Sequence, residues 1–580
     1  MTSSLPVLDL MSRDVEPPRW EPLARSGGAL ISGVLLALCH PAPAWSGLAW
    51  IVPGLLWLAV LGAAPKRAFS LGCLAGGAQS LIALRWLLHI PFPAGAVAGW
   101  IALSAYLSLF SGAWCAWVGW TLRQAMSGTD GTQIEPRVWR DAAGRYCSLG
   151  WWRRTGWIAA AAAAWVAMEM IQARLFTGFS WNGLGVTQWR NGPLIQLASI
   201  TGVYGISFLV CWGSLALGSA VLLVFFRPAM RFAWMAEGRF PLVLLLLLVG
   251  WGFNRMMSTP RLPEAARRVS MALVQPSIPQ QLIWDDGASP ERFEKARRLS
   301  SQALATRPEI LVWPEGFLPA FSESQLTEMT RLVGSANAWW IFGADDAETS
   351  PPAGSRPGTR PDAYNAAVLA SPSGRYERVY RKRHLVLFGE YIPFSKQLPF
   401  LNSLIPIGDG FAAGKAPVPF PVQTESGPVI ISPVICFEDI FPHYTREQVL
   451  PNTDVLLELT NDGWFGESGA QWQHCANAAF RAVENGVPLV RCANNGVTCW
   501  IDAHGRLRDV VGGEGGDVYG AGFLRITIPL AEAAGTLRSP TWYWLHGDVF
   551  GWTCVAAAAW KGVRARVESR KPSRADASRS

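Results

Sequence analysis

The stretch PVICFEDIFP, residues 433–442, ends an apolar run on Cys436 and follows it with Glu438 and Asp439. A free cysteine is often a small buried hydrophobe, and that reading fits a strand end. The end of a strand is also where α/β folds build their sites, so the same thiol is a candidate nucleophile. Two acids close behind it oppose a thiolate. A nucleophile here therefore needs a cation and a proton acceptor supplied from other parts of the chain.

Composition sets the context for that search. Half of the 580 residues are hydrophobic, only 16% are charged, and 30 are tryptophan, which points to a membrane protein. Apolar runs with short polar breaks fill the first 256 residues, at 27–42, 45–64, 68–88, 95–122, 156–175, 194–226 and 240–255. A further one lies at 548–560. A spanning helix needs roughly 20 apolar residues, so the shorter runs have soft edges. The net charge of +8 is explained by where the basic residues fall. They cluster in the linkers after the second, fourth and sixth runs and in the tail KGVRARVESRK, while the linkers after the first and third carry none. The positive-inside bias then puts the N-terminus, the even linkers and the tail in the cytoplasm, and residues 256–540 on the other side. Arg85, Glu169 and Arg174 are ionisable residues inside or at the edge of these runs, with Glu169 and Arg174 a candidate pair. Ten scattered cysteines with no C-x-x-C pair argue against a disulfide framework, and no His/Cys spacing suits zinc. The polar, acidic N-terminus lacks the order of a cleavable signal peptide.

Between 256 and 540 the texture is that of an α/β domain. Strands are expected at 268–278, 309–316, 338–345, 429–436 and 454–462. Hairpins are expected over 364–386, with the turn at Ser373-Gly374, and over 488–507. Helices are expected over 289–304, opened by Ser289-Pro290, and over 473–486, stopped by Gly486. Two strand-end residues supply what Cys436 lacks. Glu315 follows the run EILVW and is held by Pro314; Lys382 sits in the basic stretch YRKRHLVLFGEYIP. Taken singly, Glu315 reads as a surface acid and Lys382 as one of several solvated bases.

Together, Glu in WPEG, Lys in YRKRHLVLFGEYIP and Cys in VICFEDIFP resemble the Glu–Lys–Cys triad of the nitrilase (carbon–nitrogen hydrolase) superfamily. Seven apolar runs before that domain and one after it make the chain similar to the superfamily's membrane-embedded apolipoprotein N-acyltransferase family. FTGFSWNGLG (176–185), VQPSIPQQLIW (274–284), NDGWFGESGAQWQH (461–474) and RCANNGVT (491–498) also resemble family motifs. The resemblance implies an eight-helix membrane domain plus an extracytoplasmic four-layer αββα sandwich. The units would be a cytoplasmic segment 1–26, seven helices in 27–255, the periplasmic catalytic domain 256–540, a last helix in 541–561 and a cytoplasmic tail 562–580.

It further implies acyl transfer in the bacterial inner membrane, from a phospholipid such as phosphatidylethanolamine to the α-amino group of a diacylated apolipoprotein. The route runs through a thioester on Cys436, in a monomer, with no metal or cofactor and no nucleic-acid partner. In these terms Glu315 is the base, while Lys382 and the Phe437 N–H stabilise the oxyanion. Glu390 and Glu438 are supporting carboxylates, and Trp284, Trp464 and Phe465 line the lipid site, with ordinary packing as the alternative. Phe437 stands where the family often has Tyr, and Leu387 where it often has Pro. A membrane-tethered amidase would share the triad and differ in using water as acceptor. A silent scaffold would not need an intact triad.

Overall fold

The computed structural model describes residues 18–127, 138–227, 234–258, 267–283, 285, 287, 289–316, 322–350, 361–393, 397, 410–513, 516–530 and 539–569. In the C-terminal half, β-branched and aromatic runs of three to nine residues form two sheets of six strands each. The first holds β1 (Arg268–Gln275), β2 (Ile310–Val312), β3 (Trp339–Ala347), β4 (Ala363–Ala370) and β5 (Tyr376–Arg381). The second holds β6 (Phe420–Thr424), β7 (Gly427–Ile435), β8 (Val455–Thr460), β9 (Leu489–Ala493), β10 (Cys499–Ile501) and β11 (Leu507–Val510). β12 (Gly522–Pro529) returns to the first sheet and pairs antiparallel with β1. Each sheet has a parallel centre, β1-β2-β3 and β7-β8-β9, with antiparallel strands at its edges.

Alternation along the strands sorts the side chains into layers. Met271, Leu273, Ile310 and Val312 of the first sheet meet Ile431, Val455, Leu457 and Leu459 of the second in a core between the sheets. Ala272, Val274 and Leu311 face the other way, against Phe293 and Leu299 of the helix Ser289–Leu304 and Met329 and Val333 of the helix Glu323–Ser335. Leu456 and Leu489 face the helix Ala470–Asn485, on the outside of the second sheet. The expected four-layer αββα arrangement is thus present. The helix Ser289–Leu304 has the bounds read from sequence, and Gly486 ends the other helix in the left-handed conformation at φ +66.

The N-terminal half is helical. Its longer helices are Glu21–Leu38, Pro65–Ala83, Pro93–Met126, Trp151–Gln172, Val203–Phe226 and Trp234–Met257, and the helix Val549–Ser569 packs among them. Among the described residues three helical segments are long and apolar enough to cross a membrane: Pro93–Met126, Val203–Phe226 and Glu237–Met257. The run 45–64 differs from expectation. It is split into a short turn, Ser46–Trp50, and the nine-residue helix Val52–Val60, with Pro53 in the first turn, where its missing N–H costs nothing. Nine residues rise about 14 Å, half of a bilayer core. The linker after the fourth run also carries a helix, Trp139–Ser148, that the sequence reading did not include. Small residues let the helices approach closely; a Cβ on Gly76 would lie 2.7 Å from Ser111 Oγ on the neighbouring helix.

The suggested Glu169–Arg174 pair does not form. Arg174 lies beyond the end of its helix and pairs with Asp548, while Glu169 accepts from Trp165 Nε1 (3.0 Å) and Leu184 N–H (2.8 Å). Residues five apart do not share a helix face, so the two side chains diverge.

Candidate active site

Four strand ends converge at one edge of the sandwich. Glu315 follows β2, Lys382 follows β5, Cys436 follows β7 and Asn461 follows β8. β3 passes directly behind Glu315. A Cβ on Gly343 would sit 2.6 Å from Pro314 O, so glycine is what permits that approach.

Cys436 opens a tight turn, Cys436–Ile440, with φ +50, a left-handed conformation costly for a residue with a Cβ. Strain of this kind persists where the surroundings over-determine the backbone, and it lifts the thiol out of the strand. Lys382 is buried to 1% exposure and donates to two carboxylates, Glu315 Oε1 (3.1 Å) and Glu390 Oε1 (2.8 Å). Asn365 on β4 repeats the bridge, its Nδ2 donating to the same two oxygens at 2.8 and 2.9 Å. Glu390 Oε2 accepts from Val386 N–H (2.8 Å), and Glu315 Oε2 accepts from Asn461 N–H (3.0 Å). Two carboxylates and one ammonium, tied together by Asn365, therefore form the floor of the site.

The charges set protonation states. Burial alone would lower Lys382, but Glu315 and Glu390 outweigh it and hold the ammonium well above the usual lysine range. Burial pushes the Cys436 thiol well above the usual range; Glu315 adds to this, Lys382 pulls it down, and Asp462 pushes it up again. The resting group is a thiol, so any nucleophilic use of it needs a base.

Sequence suggested that Glu438 and Asp439 oppose the thiolate. Their carboxylates are engaged elsewhere. Glu438 accepts from Arg383 N–H (2.7 Å), His384 N–H (3.1 Å), Ile435 N–H (2.8 Å) and the Tyr380 hydroxyl (2.8 Å). It thereby clamps the backbone beside Lys382 to the backbone beside Cys436. Asp439 Oδ1 faces His474 Nε2 at 2.7 Å.

His474 belongs to a buried network that sequence reasoning missed. Its other nitrogen, Nδ1, faces Asp462 Oδ1 at 2.8 Å; Arg491 reaches Asp462 Oδ2 (2.9 Å) and both oxygens of Glu458 (2.5 and 2.7 Å). Burial disfavours a charged imidazole, yet Asp439 and Asp462 on its two nitrogens hold His474 well above the ordinary histidine range. Asp439, Glu458 and His474 offer ligand atoms within 4.8 Å of one another, as a metal set would. Arg491 puts a guanidinium 3.5 Å from Asp439 and closer still to Glu458, so the positive charge that this set takes is already an arginine.

Aromatic side chains close the site against the helical half. The Phe437 ring lies 6.0 Å from Phe179, 6.5 Å from Trp181 and 5.2 Å from Phe441. Phe465 packs on Trp86 (4.4 Å) and Trp181 (5.9 Å); Trp464 is half-buried in the same turn. Trp284 lies outside the described residues. Gln473 pins the two halves together. It accepts from Trp181 Nε1 (2.8 Å) and Trp86 Nε1 (3.2 Å) and donates to Pro41 O (2.6 Å).

A strained turn opened by Cys436 is thus buried against a tryptophan-rich helical region. An apolipoprotein N-acyltransferase from Geobacter metallireducens is 36% identical over 547 residues, 92% of this chain and 93% of that protein. The chain belongs to the apolipoprotein N-acyltransferase family. Proteins of that name from Rhizobium rhizogenes and Rhizobium etli are 29% and 30% identical, covering 84% and 82% of this chain and 85% and 83% of those relatives. The model of the apolipoprotein N-acyltransferase N-terminal domain matches residues 32–216, and that of the carbon-nitrogen hydrolase residues 270–516. A solved amidase from Nesterenkonia sp. is similar over 47% of this chain and 94% of its own, at 16% identity and a TM-score of 0.32.

Of the residues named from sequence, the structure gathers Glu315, Lys382 and Glu390 into one hydrogen-bonded cluster beside Cys436, and places Glu438 as a clamp. In this apolipoprotein N-acyltransferase family member Asn365 joins that cluster without being marked by the sequence pattern. Its signal is a single amide inside the apolar strand AYNAAVLA, and likewise Glu458 and Arg491 are lone charges in VLLELT and PLVRCA.

Proposed function

We propose that the chain transfers a fatty acyl group from a phospholipid to the α-amino group of a diacylated apolipoprotein, through a thioester on Cys436. The observation that carries this reading is a buried Lys382 bridging Glu315 and Glu390 beside a cysteine displayed on a strained strand-end turn. Glu315 Oε2, with the Asn461 N–H as its described donor, keeps a lone-pair direction for the thiol proton. As that proton moves to Glu315, Cys436 Sγ attacks the ester carbonyl. The oxyanion is met by the Lys382 ammonium and the Phe437 N–H; one such donor contributes on the order of 3 kcal/mol. Collapse expels the lysophospholipid alkoxide, which takes the proton from Glu315, and leaves the thioester. The acceptor amine then attacks, Glu315 takes its proton, and the expelled thiolate is reprotonated.

In this reading residues 27–255 and 541–561 form eight spans in the inner membrane, the second built from the turn Ser46–Trp50 and the helix Val52–Val60 in series, supported by the alternation of basic linkers with linkers that carry few or no basic residues. Residues 256–540 face the periplasm, with cytoplasmic ends at 1–26 and 562–580. Phosphatidylethanolamine serves as donor, Trp284, Trp464 and Phe465 line the lipid site, and the enzyme is a monomer. To test transfer against hydrolysis, purified protein is given phospholipid labelled in its acyl chain, with and without a diacylated lipopeptide. Transfer requires labelled amide on the lipopeptide; release of free fatty acid at one rate in both samples would instead make the protein a hydrolase.

A further inference from the structure

Beside the nucleophile turn, residues of the helices Glu21–Leu38, Pro65–Ala83, Pro93–Met126 and Trp151–Gln172 and of the loop 173–184 line a partly open cavity of about 70 Å³. The space is roomy enough to admit a small polar group. Its lining includes one carboxylate, Glu169, and no lysine or arginine. His40, also in the lining, is fully buried, and neither of its ring nitrogens has a hydrogen-bond partner. Asn182 Oδ1 is a third buried polar atom of the lining without a partner. Three unmatched polar atoms at one cavity are costly unless something occupies it.

The acceptors define the occupant. A carboxylate, an amide oxygen and an imidazole nitrogen ask for several N–H donors, and Trp114, Trp165 and Phe179 also line the cavity. We propose that this cavity binds the primary ammonium group of an amine-bearing lipid substrate. The proposal rests on the acyl-transfer reading, which supplies two such groups: the ethanolamine head of the donor and the α-ammonium of the acceptor. The donor's head group is remote from its ester and can rest here while the carbonyl meets Cys436, whereas the acceptor's amine would dock here protonated and must leave, deprotonated, before it attacks. Phe179 lines the cavity and stands 6.0 Å, ring to ring, from Phe437, the neighbour of Cys436. A second, smaller cavity shares Glu169 and Gln172 and reaches Ile440, the last residue of the nucleophile turn. Arg481 in its wall is paired with Glu484 at 2.7 Å.

The test uses the full-length protein in detergent with Glu169→Gln and Asn182→Ala. Two rates are read: acyl-enzyme formation from phosphatidylethanolamine and from phosphatidylglycerol with identical chains, and transfer from preformed acyl-enzyme to a diacylated lipopeptide. If the cavity holds the donor head group, each variant lowers kcat/KM for phosphatidylethanolamine about tenfold against phosphatidylglycerol, and transfer is unchanged. If it holds the acceptor, both donors acylate at wild-type rates and KM for the lipopeptide rises about tenfold. An unchanged donor ratio together with an unchanged lipopeptide KM overturns the proposal. So does an equal loss with every substrate, which marks a structural role only. Should Glu169→Gln fail to fold, Asn182→Ala alone decides. Absence of acyl-enzyme in the wild type would count against the reaction itself and not against this site.

Discussion

Replacing Glu438 with Gln changes one atom and should slow acylation about a hundredfold. The carboxylate collects three backbone N–H groups and a phenol: Oε1 takes Arg383, His384 and Tyr380, and Oε2 takes Ile435 and Tyr380 again. An amide can keep the first set but must turn its NH₂ toward Ile435 N–H, donor against donor. Losing a hydrogen bond to a charged acceptor costs about 1.5–3 kcal/mol, and a buried unmatched N–H is itself unfavourable. A total of about 3 kcal/mol follows, close to two decades in rate if it falls on the barrier. The geometry says that it does. The clamped groups flank Lys382 on one side and Cys436 on the other, so strain at Glu438 changes the distance between ammonium and thiol. The assay is single-turnover acyl-enzyme formation from labelled phospholipid, alongside a thermal melt. The expected result is a large fall in kcat with little change in KM. Wild-type acylation by a folded Glu438→Gln protein would refute the clamp.

Asn365→Leu keeps the volume but removes both Nδ2 bonds, to Glu315 and Glu390; at about 1.5–3 kcal/mol each, acylation should slow at least tenfold, measured in the same assay. Phe437→Tyr should leave the acylation rate unchanged, because the proposed mechanism uses only the backbone N–H of that residue. Acid should destabilise the catalytic domain early. Burial pushes both His384 and His443 down to about 4, so between about pH 6.5 and 4 the unfolded chain binds more protons and stability falls as pH falls. The loss reaches on the order of 3 kcal/mol per histidine, and a melting temperature that stays flat from pH 7 to pH 4.5 would contradict it. His474 acts with the opposite sign: its contribution is complete below about pH 6.5 and is lost only as pH rises through its raised folded value. His474→Phe should therefore flatten the alkaline limb of a stability profile.

Much of this was legible in the chain because local rules and packing agree. Ser289-Pro290 opens its helix, Gly486 closes another, and the turn at Ser373-Gly374 joins β4 to β5, all where the residue types ask for it. The candidate base, cation and nucleophile were visible as polar residues after apolar strands. What sequence could not supply was direction. Glu438 and Asp439 follow Cys436 closely, yet the turn sends their carboxylates to the Lys382 loop and to His474. The buried network is assembled from β8, β9, the nucleophile turn and a helix, and only the register Glu458↔Arg491 makes it one object. Asn365 is silent in the sequence because an amide in a strand has no chemistry of its own until two carboxylates face it. The division of the run 45–64 leaves Pro53 in the first turn of its helix, a placement that hydropathy alone hides.

Covalent capture tests the central claim most directly. Wild-type protein and Cys436→Ala are incubated with phospholipid labelled in its acyl chain, without acceptor, and the protein is then treated with neutral hydroxylamine. The expected result is label on the wild type, released by hydroxylamine as a thioester requires, and none on Cys436→Ala. Hydroxylamine-sensitive label on the folded alanine variant, or no such label on an active wild type, would contradict the account.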